Sequence, residues 1–328
     1  MKQTQTYRVL WQKREDMGVR LLRIYGMSPL IRIPSQIAGH PVVEIAPYCF
    51  ARNSRLSKEG YEETLLGQED SHVFLQELCG NEVEEVSLPD TVKEIGSCAF
   101  YNCRNLKTLE IGAGVEEIGS DAFMNTMLFR KLILRHPANK KSKVRKILSQ
   151  ISSDLEVYFR VEGRTEAVLF YPEYYESYDE IAPAHLFGRK ITGGGFRARQ
   201  CFLDECVDFS GYDDVFLQAC AEESETTLSR MALDRLQYPY GLTDKKKEIY
   251  RLYIKEHMPE LAKRLVLEKD LEILHFLCRE GMLYGANLAE CIQAAAEADW
   301  PEGAADLLQM QASGREKERE KRYDFDAF

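Results

Sequence analysis

The chain has 328 residues, 45% of them hydrophobic, with 53 acidic against 43 basic side chains and a net charge of −10. At roughly 150 residues per domain this length points to about two domains, with an apolar fraction ordinary for a globular protein. The acidic balance argues against a general nucleic-acid binder, whose footprint is a clustered basic surface, and no apolar run approaches the ~20 residues of a membrane helix.

The opening "MKQTQTYRVLWQKRED" has no apolar signal-peptide core, so a soluble, cytoplasmic protein is expected. The nine cysteines are odd in number and spread through apolar positions, which fits reduced, buried thiols better than a disulfide framework.

Three stretches share one skeleton: "VVEIAPYCFARN" (42–53), "VKEIGSCAFYNC" (92–103) and "VEEIGSDAFMNT" (115–126). Val42, Val92 and Val115 align, as do Ile45, Ile95 and Ile118, then Phe50, Phe100 and Phe123. A period near 23 with an apolar skeleton predicts a solenoid in which each unit buries its face against the next. "VEEVSL" (83–88), "LKTLEI" (106–111) and "FRKLIL" (129–134) carry the spacing of a short strand with one buried face.

The stretch "IRIPSQIAGHPVVEIAPYCFA" (31–51), with "LLRIYG" (21–26) before it, and the units from "LPDTVKEIGSCAFYNCRNLKTLEI" onward resemble BspA-like leucine-rich repeat proteins over about residues 7 to 135. The resemblance implies a repeat solenoid used for protein–protein contact, and many relatives are surface-exposed adhesins.

Phe50 and Phe100 lie 50 apart, so the unit between them is replaced by an insert spanning about 51–82, which reads as a helix-bearing, charged excursion. Either it is functional or it covers a side of the sheet. Lys140 to Ile151 has helical spacing, with Val144, Ile147, Leu148 and Ile151 on one face and basic residues on the other. "LEVYFRV" (155–161) and "EAVLFYP" (166–172) are expected to extend and cap the repeat sheet. In the connector, Gly193-Gly194-Gly195 precedes Phe196-Arg197-Ala198-Arg199. The phosphate-loop signature is missing there. Gly194, Arg197 and Arg199 are the candidate anion-binding groups, and the alternative has neighbouring carboxylates neutralising the arginines.

From Tyr212 the pattern is helical. Asn287 with Glu290 and Asp299 with Glu302 read as capping boxes, Pro301 fits a first turn, and Gly281 and Gly285 fit helix ends. Thirty positions apart, Glu272 meets Glu302 and Leu277 meets Leu307, the outline of a helix-pair repeat that weakly resembles the helical part of ankyrin repeats. Arg315 to Arg322 is charge without an apolar face, either a solvated helix or a tether. Tyr323, Phe325 and Phe328 beside two aspartates form a candidate tail motif for docking on an edge or groove.

No metal, cofactor or catalytic constellation is expected. The histidines form no zinc-protease group, and no nucleophile elbow is present. The pairs Cys98/Cys103 and Cys201/Cys206 have Cys-x4-Cys spacing, but Cys103 aligns with Thr126 in a ladder of small residues.

The fold class expected is an α+β repeat protein: a repeat domain with capping helix and strands (1–170), a connector (171–211), a helical array (212–312) and a charged tail (313–328). The expected function is a non-catalytic scaffold for a protein partner of unknown identity and unknown oligomeric state. The expected binding face is the outward side of the repeat strands: Glu85, Ser87, Thr108, Glu110, Lys131 and Ile133. Glu44, Glu94 and Glu117 recur at one repeat position and predict an acidic row beside it, suited to a basic partner. The alternatives are an anion or nucleotide sensor at the connector and an exported adhesin.

Overall fold

The computed structural model describes residues 6–52, 60–67, 74–181 and 186–325. The chain divides into two compact units, Met1–Glu223 and Ser224–Phe328.

The first unit is a solenoid with two sheets. In the first sheet, β1 (Tyr7–Lys13) and β2 (Val19–Gly26) form a hairpin, and β2 continues in parallel into β5 (His40–Ile45), β9 (Glu94–Ile95) and β11 (Glu117–Ile118). A short strand, β4 (Gln36–Ile37), turns back on β5. In the second sheet β3 (Leu30–Arg32), β8 (Glu85–Ser87), β10 (Thr108–Gly112), β12 (Lys131–Arg135) and β13 (Leu155–Val161) run parallel, and β14 (Arg164–Tyr171) closes it antiparallel. The strands expected at 155–161 and 166–172 therefore extend the repeat sheet. Helix α1 (Val144–Leu148) buries Val144, Ile147 and Leu148 over the core, its basic side outward.

The repeated skeleton forms the core. Val42, Val92, Ile45, Ile95, Phe50 and Phe100 are all fully buried, and Val115, Ile118 and Phe123 nearly so. The phenylalanine rings stack in sequence: Phe50 on Phe100 at 4.9 Å, Phe100 on Phe123 at 5.5 Å, and Phe123 on Phe129 at 5.8 Å. Backbone bonds run from unit to unit beside them, from Phe50 N to Ala99 O and from Phe100 N to Ala122 O, both 2.8 Å. Tyr48, Cys98 and Asp121 share one repeat position and one left-handed turn conformation, with φ of 60°, 56° and 54°. Cys98 is thus a half-buried turn residue, whereas Cys103 is fully buried with its thiol on Phe50 O. Of the nine free thiols, Cys49, Cys103 and Cys291 are buried and Cys220 is exposed, so burial is less general than the sequence suggested. Burial pushes the Cys49 and Cys103 thiols up to about 12.

Gly96 and Gly119 follow the repeated isoleucine because the turns approach closely. A Cβ on Gly96 would lie 2.4 Å from Pro47 N, and one on Gly119 2.3 Å from Ser97 N. The opening unit carries Ala46 at this place, where the neighbouring layer is β2. Gly96→Ala is expected to destabilise the first unit by about 1–3 kcal/mol, since backbone must shift to admit the methyl group; urea unfolding of the two proteins measures this.

The insert departs from expectation. Its described residues hold β6 (Glu62–Leu66), antiparallel on the outer edge of β1, β7 (Gln76–Glu77) on β2, and a 3-10 turn at Gly80–Glu82, with no α-helix among them. The free edge of β1 supplies backbone partners that the charged local sequence does not reveal. Residues 53–59 and 68–73 of the insert lie outside the described residues.

After β14 come a hairpin of β15 (Tyr175–Ile181) and β16 (Leu186–Thr192), a helical turn α2 (Gly195–Ala198), and a two-residue hairpin of β17 (Phe202–Leu203) and β18 (Cys206–Val207). Helix α3 (Phe209–Ala219) packs onto the end of the repeat sheet. Phe209 meets Phe159 at 5.9 Å, and the Tyr212 hydroxyl donates to Phe170 O at 2.5 Å. At this end His136 is nearly fully buried, its Nδ1 2.8 Å from Pro137 O and its ring edge-on to Phe159. Burial holds its pKa below the ordinary value, with Lys140 acting in the same direction and Pro137 O and Glu166 opposing. The unfolded chain therefore binds a proton at higher pH than the folded one, so stability falls as pH drops through the unfolded histidine range near 6.5. His136→Gln is expected to flatten that loss between about pH 7 and 5, read as melting temperature against pH.

The second unit comprises α4 (Glu225–Gln237), α5 (Asp244–Glu256), α6 (Met258–Leu267), α7 (Leu271–Arg279), α8 (Gly285–Glu297) and α9 (Pro301–Phe325). Ser224, Thr243 and Asp270 cap α4, α5 and α7 with side-chain oxygens. The 30-residue offset is visible in the backbone. Asp270 N bonds to Leu265 O and Trp300 N to Ala295 O, both at 2.9 Å, and Lys269 and Asp299 share the left-handed conformation. Leu277 and Leu307 are both fully buried. Gly281, at φ 65°, follows α7 as expected, and Pro301 opens α9. Asn287 lies inside α8, which starts at Gly285, so it is no cap; Asp299 precedes α9 in the left-handed conformation. Arg315 to Arg322 continue α9.

Candidate functional site

The outward residues of the second sheet stand in two rows set by strand register. Leu30, Glu85, Thr108, Lys131 and Glu156 are neighbours in the first row; Arg32, Ser87, Glu110, Ile133 and Tyr158 are neighbours in the second. A groove of about 630 Å³ lies across these rows. Of the six face residues expected from the sequence, Glu85, Ser87, Thr108, Glu110 and Ile133 all line it. Lys131 stands just outside with its ammonium 4.4 Å over the Tyr158 ring. Ile133 is nearly buried, so it serves as apolar floor, not as an exposed contact.

Further contributors, among them Tyr7, Arg32, Leu66 and Arg160, were not expected from the sequence. Tyr7 and Leu66, from β1 and β6, form the wall, and Arg32 and Arg160 stand on strands flanking the repeats. Arg32 and Arg160 had a signal available, because each follows a buried residue of its strand, Ile31 and Phe159. Tyr7 and Leu66 had none, since the wall depends on the β1–β6 pairing. The Tyr7 hydroxyl accepts a bond from Arg32 N at 3.0 Å, fixing β3 against the wall. Inside the groove Glu110 is held by the Ser87 hydroxyl at 3.0 Å and by Arg135 at 3.4 Å.

The acidic row in the first sheet forms in register, Glu44 beside Glu94 beside Glu117, but it is not the exposed acidic surface expected. Glu44 is 1% exposed and is gripped by Arg14 and by Arg20 at 2.6 Å, and Arg14 also reaches Glu94 at 3.2 Å. The β1–β2 hairpin brings these arginines alongside, leaving Glu117 as the exposed member.

The candidate anion groups of the connector are occupied from within. Arg199 is 4% exposed and donates to five backbone carbonyls: Ile151 O at 3.0 Å, Gly195 O at 3.0 Å, Ser153 O at 2.7 Å, Tyr171 O at 3.5 Å, and Pro172 O. Its burial lowers its pKa to about 10. Arg197 makes a two-pronged pair with Glu222 at 2.6 and 2.7 Å, and the Gly194 amide donates to Glu223 at 2.5 Å. A Cβ on Gly195 would sit 1.9 Å from Pro172 O, so the glycines are there for close packing. Of the tail motif, Tyr323 and Phe325 fall in the last turn of α9, and Phe328 lies outside the described residues. Among the described residues no group of three or more metal-ligating side chains occurs, and no helix is long and apolar enough to cross a membrane.

Parallel strands stacked at a period near 23, with a ladder of phenylalanines behind them, define a leucine-rich repeat solenoid. Residues 70–153 match the BspA type leucine rich repeat region, in 6 copies, so this segment is a repeat region of that kind. Two solved structures are similar. One is a leucine rich cell surface protein from Faecalibacterium prausnitzii A2-165, 25% identical over 38% of this chain and 28% of that one, with a TM-score of 0.27. The other is the leucine rich repeat protein of T. pallidum, 22% identical over 40% of this chain and 70% of that one, with a TM-score of 0.22. The chain thus spans under a third of the first relative's length. No curated protein matches it.

Proposed function

We propose that the protein is a non-catalytic binding module that holds a protein partner in the groove on its second sheet. One observation carries this reading: five outward repeat positions from three strands converge on one groove with an apolar floor and charged rims. The match of residues 70–153 to a leucine rich repeat region supports a protein-binding reading. The proposed setting is the cytoplasm, and labelling of the chain on intact host cells would favour the adhesin reading instead.

Thr108 lies at the centre of the groove, half-buried and flanked by Glu85 and Lys131. Thr108→Arg is expected to reduce partner recovery from host lysate at least about tenfold, the effect of 1.4 kcal/mol of lost binding. An unchanged melting temperature shows that the fold is intact. Removal of Ser313 to Phe328 is expected to leave recovery unchanged. Recovery lost only with the tail would move the site to Tyr323, Phe325 and Phe328.

A further inference from the structure

The charges in the groove are not evenly satisfied. Glu110 is engaged by Arg135 and Ser87. Arg32 and Arg160 have no ion-pair partner among the described residues, and the guanidinium of Arg160 lies 5.7 Å from the Tyr158 ring. The two arginines mark opposite ends of the groove, on β3 and β13, with β8, β10 and β12 between. Four inter-strand steps of about 4.8 Å and a two-residue offset along β13, from Tyr158 to Arg160, separate them by about 20 Å. The space between is lined by Leu30, Leu66, Ser87, Thr108 and Ile133, apolar or uncharged, by the Arg135-paired carboxylate of Glu110 and by the exposed carboxylate of Glu85.

Resting on the groove assignment above, we propose that the bound segment is an extended peptide with an acidic side chain near each end and apolar side chains between. At about 3.3 Å per residue, six steps of an extended chain cover the arginine spacing, so acids at the first and seventh residues match it and, with side chains alternating along the chain, face the groove together. A carboxylate near each terminus pairs with a guanidinium in a charge-assisted bond. Apolar residues between them cover Ile133 and Leu66. Glu85 on β8 and Glu110 on the middle strand β10 place carboxylates between the two arginines, so an acid mid-segment is disfavoured and the groove selects against the wrong spacing as well as for the right one. The long axis of the peptide crosses the strands, and it adds no strand to the sheet.

The test uses the full chain and fluorescein-labelled heptapeptides, read by anisotropy. The sequence Asp-Thr-Leu-Thr-Val-Thr-Asp, whose acids and apolar side chains share one face, is compared with an Asn-ended version and with one carrying both aspartates in the middle. The end-acid peptide is expected to bind at least about tenfold more tightly than either. Arg32→Glu and Arg160→Glu are each expected to lose a similar factor, and a peptide with one terminal Asp changed to Lys should regain binding to Arg32→Glu. Arg32→Gln gives a milder version of the same loss should the charge reversal perturb folding. Equal binding of the Asn-ended peptide, or binding by none of the three, overturns the proposal. Thr108→Arg separates the two levels. If it blocks all peptides while the acids make no difference, the groove stands and the acidic pattern falls. If it blocks none of them, the groove assignment itself falls.

Discussion

Phe100→Ala is expected to lower the stability of the first unit by about 4 kcal/mol, among the largest effects of any single substitution. Phe100 is fully buried and stacks on Phe50 at 4.9 Å and on Phe123 at 5.5 Å, the middle of the ladder. Truncation removes the transfer energy of a large side chain and leaves a cavity between turns that the backbone bonds of Phe50 and Phe100 hold apart. Each lost ring pair adds about 0.5–1.5 kcal/mol beyond burial. In a stacked array each unit leans only on its neighbours, so the loss is felt on both sides. Phe100→Leu keeps most of the volume and is expected to cost less, about 1.5 kcal/mol. Urea denaturation followed by circular dichroism reads both. A loss below about 1 kcal/mol for the alanine variant would mean that the ladder is not what holds the units together.

The second large effect is expected at Arg199. Arg199→Met removes the side-chain donors for the carbonyls of Ile151, Ser153 and Pro172, in the loop after α1 and just past β14, while Gly195 O keeps its bond from the backbone N–H of residue 199. Buried acceptors left without a partner cost about 1–3 kcal/mol each, so about 3 kcal/mol or more is expected in total, since some will find water. The guanidinium also faces the rings of Tyr171 and Tyr174 at 5.8 and 5.1 Å. Lysine has one nitrogen where arginine has three in a planar fork, so Arg199→Lys is expected to recover little. Protease susceptibility near residues 172–199 should rise in both variants. If arginine and lysine prove interchangeable there, the donor network is not the source of the stability.

The repeated skeleton was readable from the sequence because its period is local. Val92, Ile95 and Phe100 recur as Val115, Ile118 and Phe123, and the same spacing puts them behind one another in the structure. The alternation that marks 106–111 as a strand likewise placed Thr108 and Glu110 outward, in the groove. The 30-residue offset at Leu277 and Leu307 survived for the same reason. What stayed hidden depends on pairings distant in the chain. Glu62–Leu66 becomes a strand only because β1 offers an edge. Glu44 is an outward acid by pattern, and only the fold of the β1–β2 hairpin brings Arg14 and Arg20 to it. Arg199 reads as a free cation until the turn after α1 and the end of β14 are in place around it. The groove wall at Tyr7 and Leu66 is of this kind, so its floor was legible and its enclosure was not.

The most direct measurement is site-specific photo-crosslinking in the native host. A photoreactive residue is placed at Thr108, within the groove, and in a parallel strain at Glu117, exposed on the other sheet. A discrete protein adduct at position 108 and none at 117 is the result predicted by binding in the groove. An adduct at 117 with none at 108 would contradict it and place the partner on the first sheet.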